Sequence, residues 1–284
     1  MTKIMACVDG SIYATSVTDH AVWAARRLKA PVEVVHAIGR REAAGGIFDL
    51  SGNLDLGERS TLMNELAELD EKRSKIALKR GRVVLEEAVA RVKAAGIEAV
   101  SEKLRHGDIA DTVADLADET RLTVIGKRGE AADFSKGHLG SNLERVARST
   151  KRPLLVTSRA FRPIETFLVA FDGGKSSSEV VERLVASPLL KDVRCELFMV
   201  GQPSGDAGKR LHDAEQRLHT AGYNVSVYTT EGDVEACIAN KVEQDGIDLI
   251  VMGAYGHSRI RSFIVGSTTA EIIRHCAIPA LIIR

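Results

Sequence analysis

The chain has no excess charge of either sign, because 39 lysines and arginines balance 39 aspartates and glutamates. It therefore lacks the basic surplus by which proteins track nucleic acid or adhere to an anionic membrane, although local patches remain open to it. It also lacks any run near the roughly 20 apolar residues of a membrane-spanning helix. The opening Met-Thr-Lys-Ile-Met leads straight into strand-like sequence, without the pattern of a signal peptide. These absences predict a cytoplasmic protein with neither nucleic acid nor membrane as a partner. Cysteine is scarce and scattered: Cys7, Cys195, Cys237 and Cys276 form no CxxC and no zinc-type cluster with histidine, and they read as buried, reduced thiols. The eight histidines make no metal motif. His212 and His219, seven apart on one helix face, read as surface residues, and no metal site is expected. A nucleophile elbow and HExxH are both missing, so no residue is assigned a catalytic role.

What remains has the composition of an ordinary globular protein, 44% apolar and 27% charged. Its 284 residues give room for two domains, each able to bury a core.

An internal repeat divides it. Leu122 to Arg159 matches Asp248 to Arg284: Gly126, Gly129, Gly140 and Pro153 correspond to Gly253, Gly256, Gly266 and Pro279 at offsets of 126 or 127. Gly96 matches Gly222, and Gly107-Asp108 matches Gly232-Asp233. The starts of the halves align at a different offset, 163, with Asp9 on Asp172. Half one therefore holds about 37 additional residues before Gly96: a loop-like stretch from Gly39 to Gly57, then a long charged, Leu/Ala-rich helix from Glu58 to Ala95. That helix reads either as a protruding arm for a partner or as a longer packing helix with a solvated face.

Each half alternates short apolar strands with amphipathic helices. Half one predicts strands at Ile4 to Val8, Val32 to Ala37, Ala99 to Leu104, Leu122 to Ile125 and Leu154 to Thr157. Half two predicts them at Phe167 to Phe171, Arg194 to Val200, Asn224 to Tyr228, Leu249 to Met252 and Ala280 to Ile283. Strands apolar at consecutive positions are covered by helices on both faces, so the fold class is α/β, with two tandem doubly wound five-stranded parallel sheets. The boundary falls in the linker Arg159 to Pro163, giving domains 1–160 and 161–284.

Ligands of such sheets bind beyond the C-terminal strand ends, where the winding reverses. After the first strand of each half stands a carboxylate on a tight turn, Asp9 or Asp172; it reads as a ribose or base acceptor, or as a helix N-cap. After the fourth strand of half two come Gly253 and Gly256, then Gly266-Ser267-Thr268 opening a helix. Glycines admit a phosphate close to the backbone, and a helix N-terminus favours an anion. The alternative is a glycine-rich turn with a Ser/Thr cap. The sequence Gly173 to Ser177 imitates the end of a P-loop, but the first glycine of that motif falls on Val169.

Gly253, Gly256, Gly266 and Ser267 follow G-x2-G-x9-G-[ST], and with the aspartate after strand one and the proline before strand five the chain resembles the universal stress protein family in two tandem copies. The resemblance implies strand order 3-2-1-4-5, ATP or ADP in the crevice with or without magnesium, and a role in stress survival. It implies that Asp172 and Val200 hold the adenosine and that Met252 meets the base, with Asp9, Ala37 and Ile125 as counterparts in a second site alongside Gly126, Gly129, Gly140 and Ser141. In the family's order the last strands lie at the sheet edge, which predicts an intramolecular pseudo-dimer through them, with a homodimer as a further option.

Half one departs from the motif, with ten residues instead of nine between Gly129 and Gly140. It has Lys127, Arg128, Lys136 and His138 about the loop, opposed by Glu130 and Asp133; half two has His257, Arg259 and Arg261. Half two is therefore expected to be the principal nucleotide site. Three functions stay open at this point: a nucleotide-binding regulator, a nucleotide-independent interaction scaffold, and a slow ATP hydrolase or adenylating enzyme using the same crevice.

Overall fold

The computed structural model describes residues 2–39, 56–129, 140–254 and 267–284, excepting the side chains of 56–61, 141, 267 and 268. In half one the strands are β1 (Lys3–Cys7), β2 (Val32–Ile38), β3 (Val100–His106), β4 (Thr120–Gly126) and β5 (Leu154–Thr157). Its helices are α1 (Ala14–Leu28), α2 (Leu56–Ala94), α3 (Ile109–Asp115) and α4 (Ser141–Ser149). Half two has β6 (Thr166–Ala170), β7 (Arg194–Val200), β8 (Val225–Thr230), β9 (Leu249–Gly253) and β10 (Ala280–Ile283). With them are α5 (Lys175–Ala186), α6 (Gly205–Thr220), α7 (Val234–Asp245) and α8 (Ser267–His275).

The expected order 3-2-1-4-5 recurs in both halves, with one difference in outcome. The two sheets run into a single ten-stranded sheet, β3-β2-β1-β4-β5-β10-β9-β6-β7-β8. Every other pairing is parallel; β5 and β10 pair antiparallel, with Leu155 opposite Leu281 at the centre. Both are short, predominantly apolar strands (LLVT and ALII), and left as edges they would invite aggregation. Joined, they hide each other. The outer edges β3 (VSEKLRH) and β8 (VSVYTT) are largely polar and partly exposed, chemistry that discourages further strand pairing.

The core is continuous across this seam. On one face, α1, α2, α5 and α6 share an apolar cluster in which Val17, Leu85, Val180 and Leu211 meet the sheet. On the other, α3, α4 and α8 close over Leu154, Val156, Ala280 and Ile282. The strands alternate between these two layers, which is why they read as unbroken apolar runs.

Polar bonds tie the halves as well. Arg284 donates to the carbonyls of Ala147 and Thr150 at 3.0 and 3.1 Å. Arg27 on α1 reaches the carbonyls of Leu189 and Lys191. His20, buried on α1, donates from Nδ1 to Ser16 O (2.7 Å) and lies edge-on to Phe161 of the linker, 4.9 Å between centroids. Its Nε2 is buried without a hydrogen-bond partner.

Burial lowers the His20 pKa to about 4, so the folded chain keeps the ring neutral at pH values where the unfolded chain protonates it. Stability should thus be lost as pH falls from about 6.5 to 4, by roughly 3 kcal/mol from this group. Urea unfolding at pH 7 and pH 4.5 should show His20→Gln losing less stability than the parent over that interval; equal losses would remove His20 as the acid-sensitive group.

Candidate functional site

In half one the winding reverses between β1 and β4, and in half two between β6 and β9. Asp9 and Asp172 stand just past the ends of β1 and β6. Each carboxylate makes a local turn: Asp9 Oδ1 accepts from the Ser11 amide (3.1 Å), and Asp172 Oδ1 from the Gly174 amide (2.8 Å). Neither aspartate is the helix N-cap, a place held by Tyr13 before α1 and Gly174 before α5; one oxygen of each instead organises the turn that leads into the first helix. At Asp172 that turn runs through Gly173 at φ +71°, a conformation most side chains resist.

The structure brings the half-one motif to this carboxylate. A Cβ placed on Gly129 would lie 3.0 Å from Asp9 Oδ2, and one on Gly140 would lie 3.4 Å from Arg128 Cα. Gly129 and Gly140 thus bracket a narrow space beside Asp9. The Gly140 amide lies 3.5 Å from Lys127 O, and Gly140 has no side chain to cap α4, which begins at the next residue. First-turn amides of such a helix are suited to an anion. The side chain of Ser141 is outside the description.

The first glycine of each motif has a second duty that the spacing did not reveal. A Cβ on Gly126 would come within 2.7 Å of Tyr13 Cβ, and one on Gly253 within 2.9 Å of Ser176 Cβ. Tyr13 and Ser176 are repeat equivalents, so in both halves the first helix presses on the end of the fourth strand at a point where only glycine fits.

Ala37 and Val200, each half-buried, end or nearly end the second strands. Ile125 and Met252 are buried, Met252 in a cluster with Leu168, Phe198 and Ile272 against which Val200 packs. These apolar groups support the strand ends from below. Gly256 and Gly266, with His257, Arg259 and Arg261, lie outside the described residues, as do Glu130, Asp133, Lys136 and His138. Ser267 begins α8, but the side chains of Ser267 and Thr268 are undescribed.

Lys127 takes a different part from the one expected. Instead of standing toward a phosphate, its Nζ donates to the Cys276 carbonyl of half two at 2.8 Å. Burial lowers its pKa to about 8. Its loop is thereby anchored to the opposite half. Arg210 of α6, exposed, has its Nε 3.5 Å from where a Gly173 Cβ would be. It adds a cation beside the Asp172 turn that no sequence signal singled out. Among the described residues no group of three His, Cys, Asp or Glu is placed to hold a metal ion, and no helix is long and apolar enough to cross a membrane.

Comparison with known proteins places this geometry among relatives. A model of the universal stress protein family matches residues 1–158 and 196–284. The universal stress protein Slr1230 of Synechocystis sp. is 36% identical over 287 residues, covering all of both chains. Rv1636, a universal stress protein of Mycobacterium tuberculosis, is 28% identical over 139 residues, 42% of this chain and 95% of its own. A universal stress protein structure from Archaeoglobus fulgidus superposes with a TM-score of 0.67 at 21% identity, covering 99% of this chain and 98% of that one, a likeness of fold.

Proposed function

The chain belongs to the universal stress protein family, and from that premise we propose that it is a cytoplasmic nucleotide-binding regulator of the stress response, built of units 1–160 and 161–284. The observation that carries the reading is the meeting, at a point of winding reversal, of a strand-end carboxylate with the glycine motif: Asp9 Oδ2 lies 3.0 Å from the place of a Gly129 Cβ, and its repeat Asp172 stands next to the Gly173 turn. A carboxylate accepts hydrogen bonds from ribose hydroxyls, and uncapped helix amides donate to phosphate oxygens.

In the proposal half two is the principal site. Asp172 and Val200 hold the adenosine, the strand end at Met252 and Gly253 borders the base, and Gly256, Gly266, Ser267 and Thr268 receive the phosphates. Half one, through Asp9, Ala37, Ile125, Gly126, Gly129, Gly140 and Ser141, binds more weakly because one extra loop residue shifts part of its cradle. Lys127 does not compensate, since its ammonium is engaged across the seam. ATP or ADP, with or without magnesium, is the ligand class.

The test is calorimetric titration of the intact protein with ATP and with ADP, beside Gly266→Val and Gly140→Val. A branched side chain at position 266 obstructs the closest backbone approach, and the tighter site should weaken at least about tenfold. Gly140→Val should leave it unchanged. Folded Gly266→Val protein with parental affinity, or loss of tight binding only in Gly140→Val, overturns the assignment. No binding of either nucleotide, and none released from protein purified without added nucleotide, would favour the scaffold reading instead.

A further inference from the structure

The N-terminal part of α2 has no role in the fold described above. The helix packs on the sheet only from Gly81 onward, through Leu85, Ala88 and Val92, which are buried, and Arg91 fastens it to Asp19 of α1 with bonds of 2.6 and 2.7 Å. From Leu62 to Arg80 no side chain is buried. Half two has no counterpart of this segment between β7 and β8, where α6 spans only Gly205–Thr220. The sheet therefore closes without it.

This unburied stretch nevertheless has an ordered apolar line. Leu62, Leu69, Ile76 and Val83 recur at seven-residue intervals, with Leu69, Ile76 and Val83 exposed by 47, 65 and 51%. Sevenfold spacing keeps side chains on one narrow stripe of a helix, one of the two apolar rows of a full coiled-coil seam, with Leu66 alone continuing the second row among Arg73 and Arg80. The stripe lies opposite the Gly81, Leu85, Ala88, Val92 row that meets the sheet, so it faces away from the body. Its charges are segregated: Glu65, Glu68, Asp70 and Glu71 precede Lys72, Arg73, Lys75, Lys79, Arg80 and Arg82.

We propose that this arm pairs antiparallel with the same arm of a second copy of the chain, making a homodimer through α2. A two-fold axis between Lys72 and Arg73 sets Leu62 against Val83 and Leu69 against Ile76 of the other copy, and Glu65 against Arg80. The arrangement lays the acidic end of one arm along the basic end of its mate, whereas parallel pairing would oppose like charges throughout. At the crossing, Arg73 and Lys75 are already met by Asp70 and Glu71 of their own helix, at 3.6 and 2.6 Å. The paired length, Leu62 to Val83, is about 32 Å at 1.5 Å per residue. That contact belongs to the small end of specific interfaces, for which micromolar dissociation is the expected regime. Among the described residues, strand pairing is not a competing route, because β5 and β10 already pair within the chain and the outer edges β3 and β8 are largely polar.

Sedimentation equilibrium of the full chain from about 5 to 300 µM tests the proposal, with the interval chosen to bracket micromolar affinity. A reversible monomer–dimer equilibrium is expected, weakened roughly tenfold or more by Ile76→Glu, a substitution at an exposed site that leaves circular dichroism unchanged. Glu65→Lys and Arg80→Glu should each weaken it, and the double exchange should restore much of the loss, since it recreates the opposite-charge contact between copies. A parent that stays monomeric over the whole range overturns the proposal, whatever else covers the stripe. So does a dimer indifferent to Ile76→Glu, or a double exchange no better than the single ones.

Discussion

Leu281→Asp is expected to destabilise both halves of the chain together, by about 4 kcal/mol or more. Leu281 and Leu155 are almost wholly buried and stand directly opposite each other in the antiparallel pair of β10 and β5. Their side chains enter the apolar cluster shared by α1, α2, α5 and α6. A carboxylate there would lose most of its water, and although Arg121, Arg152 and Arg183 line a cavity that Leu281 also borders, desolvation should still outweigh what they return. Small globular proteins have only about 5–15 kcal/mol of total stability, so the loss would consume much of it. Urea unfolding followed by circular dichroism should show a single transition moved far toward low denaturant, while Leu281→Met stays near the parent. A Leu281→Asp transition within about 1 kcal/mol of the parent would mean that the seam is not part of the cooperative core.

Lys241→Met should be costly as well, by about 3 kcal/mol or more, because it strands a buried charge. Glu196 on β7, 6% exposed, meets Lys241 Nζ of α7 at 2.9 Å. Lys241 also pairs with Asp245 and lies 3.3 Å from the Tyr228 ring centroid. Desolvation lowers the Lys241 pKa, but the contacts with Asp245 and Glu196 outweigh it and the net direction is upward. The repeat equivalent of Glu196 is Glu33 on β2, 4% exposed, which is served by two lysines, Lys3 at 3.1 Å and Lys103 at 3.4 Å. Losing one of two partners leaves the charge compensated, so Lys3→Met should be distinctly milder than Lys241→Met. Adding Glu196→Gln to Lys241→Met should recover part of the stability by removing the orphaned charge. Equal effects at Lys3 and Lys241, or no recovery in the double variant, would show that these cations act only at the surface.

The parts of the fold that follow from nearest-neighbour chemistry were readable in the sequence. Runs such as LIVM and LLVT announced strands covered on both faces, and matched turn residues exposed the duplication. Gly107-Asp108 and Gly232-Asp233, noted as register marks, prove to be helix starts: Asp108 accepts from the Ala110 amide and Asp233 from the Ala236 amide. What escaped the sequence depends on contacts between distant segments. Nothing local told that Gly253 must be small because Ser176 lies against it, or that Lys127 would turn from its own loop to the carbonyl of Cys276. That β5 and β10 would cover each other was expected from their apolar edges, but LLVT and ALII do not say in which direction the covering strand runs, so the antiparallel pairing and the single ten-stranded sheet it makes were not legible. At the candidate site the strand-end aspartates and glycines were legible as types and spacings, whereas Arg210 had only an amphipathic helix to announce it.

The antiparallel meeting of β5 and β10 fixes a polarity for the whole molecule. Strand direction reverses at that line, so the carboxyl ends of β1 and β4 and those of β6 and β9 emerge on opposite borders of the sheet. Each border combines the front of one half with the back of the other: the loop after β4 touches the entrance to β10 through Lys127 and Cys276, and the exit of β10 touches the entrance to β5 through Arg284. A flat surface laid against one border would therefore read one copy of the repeat and leave the other facing away. Duplication has given the chain two outlooks instead of a doubled one.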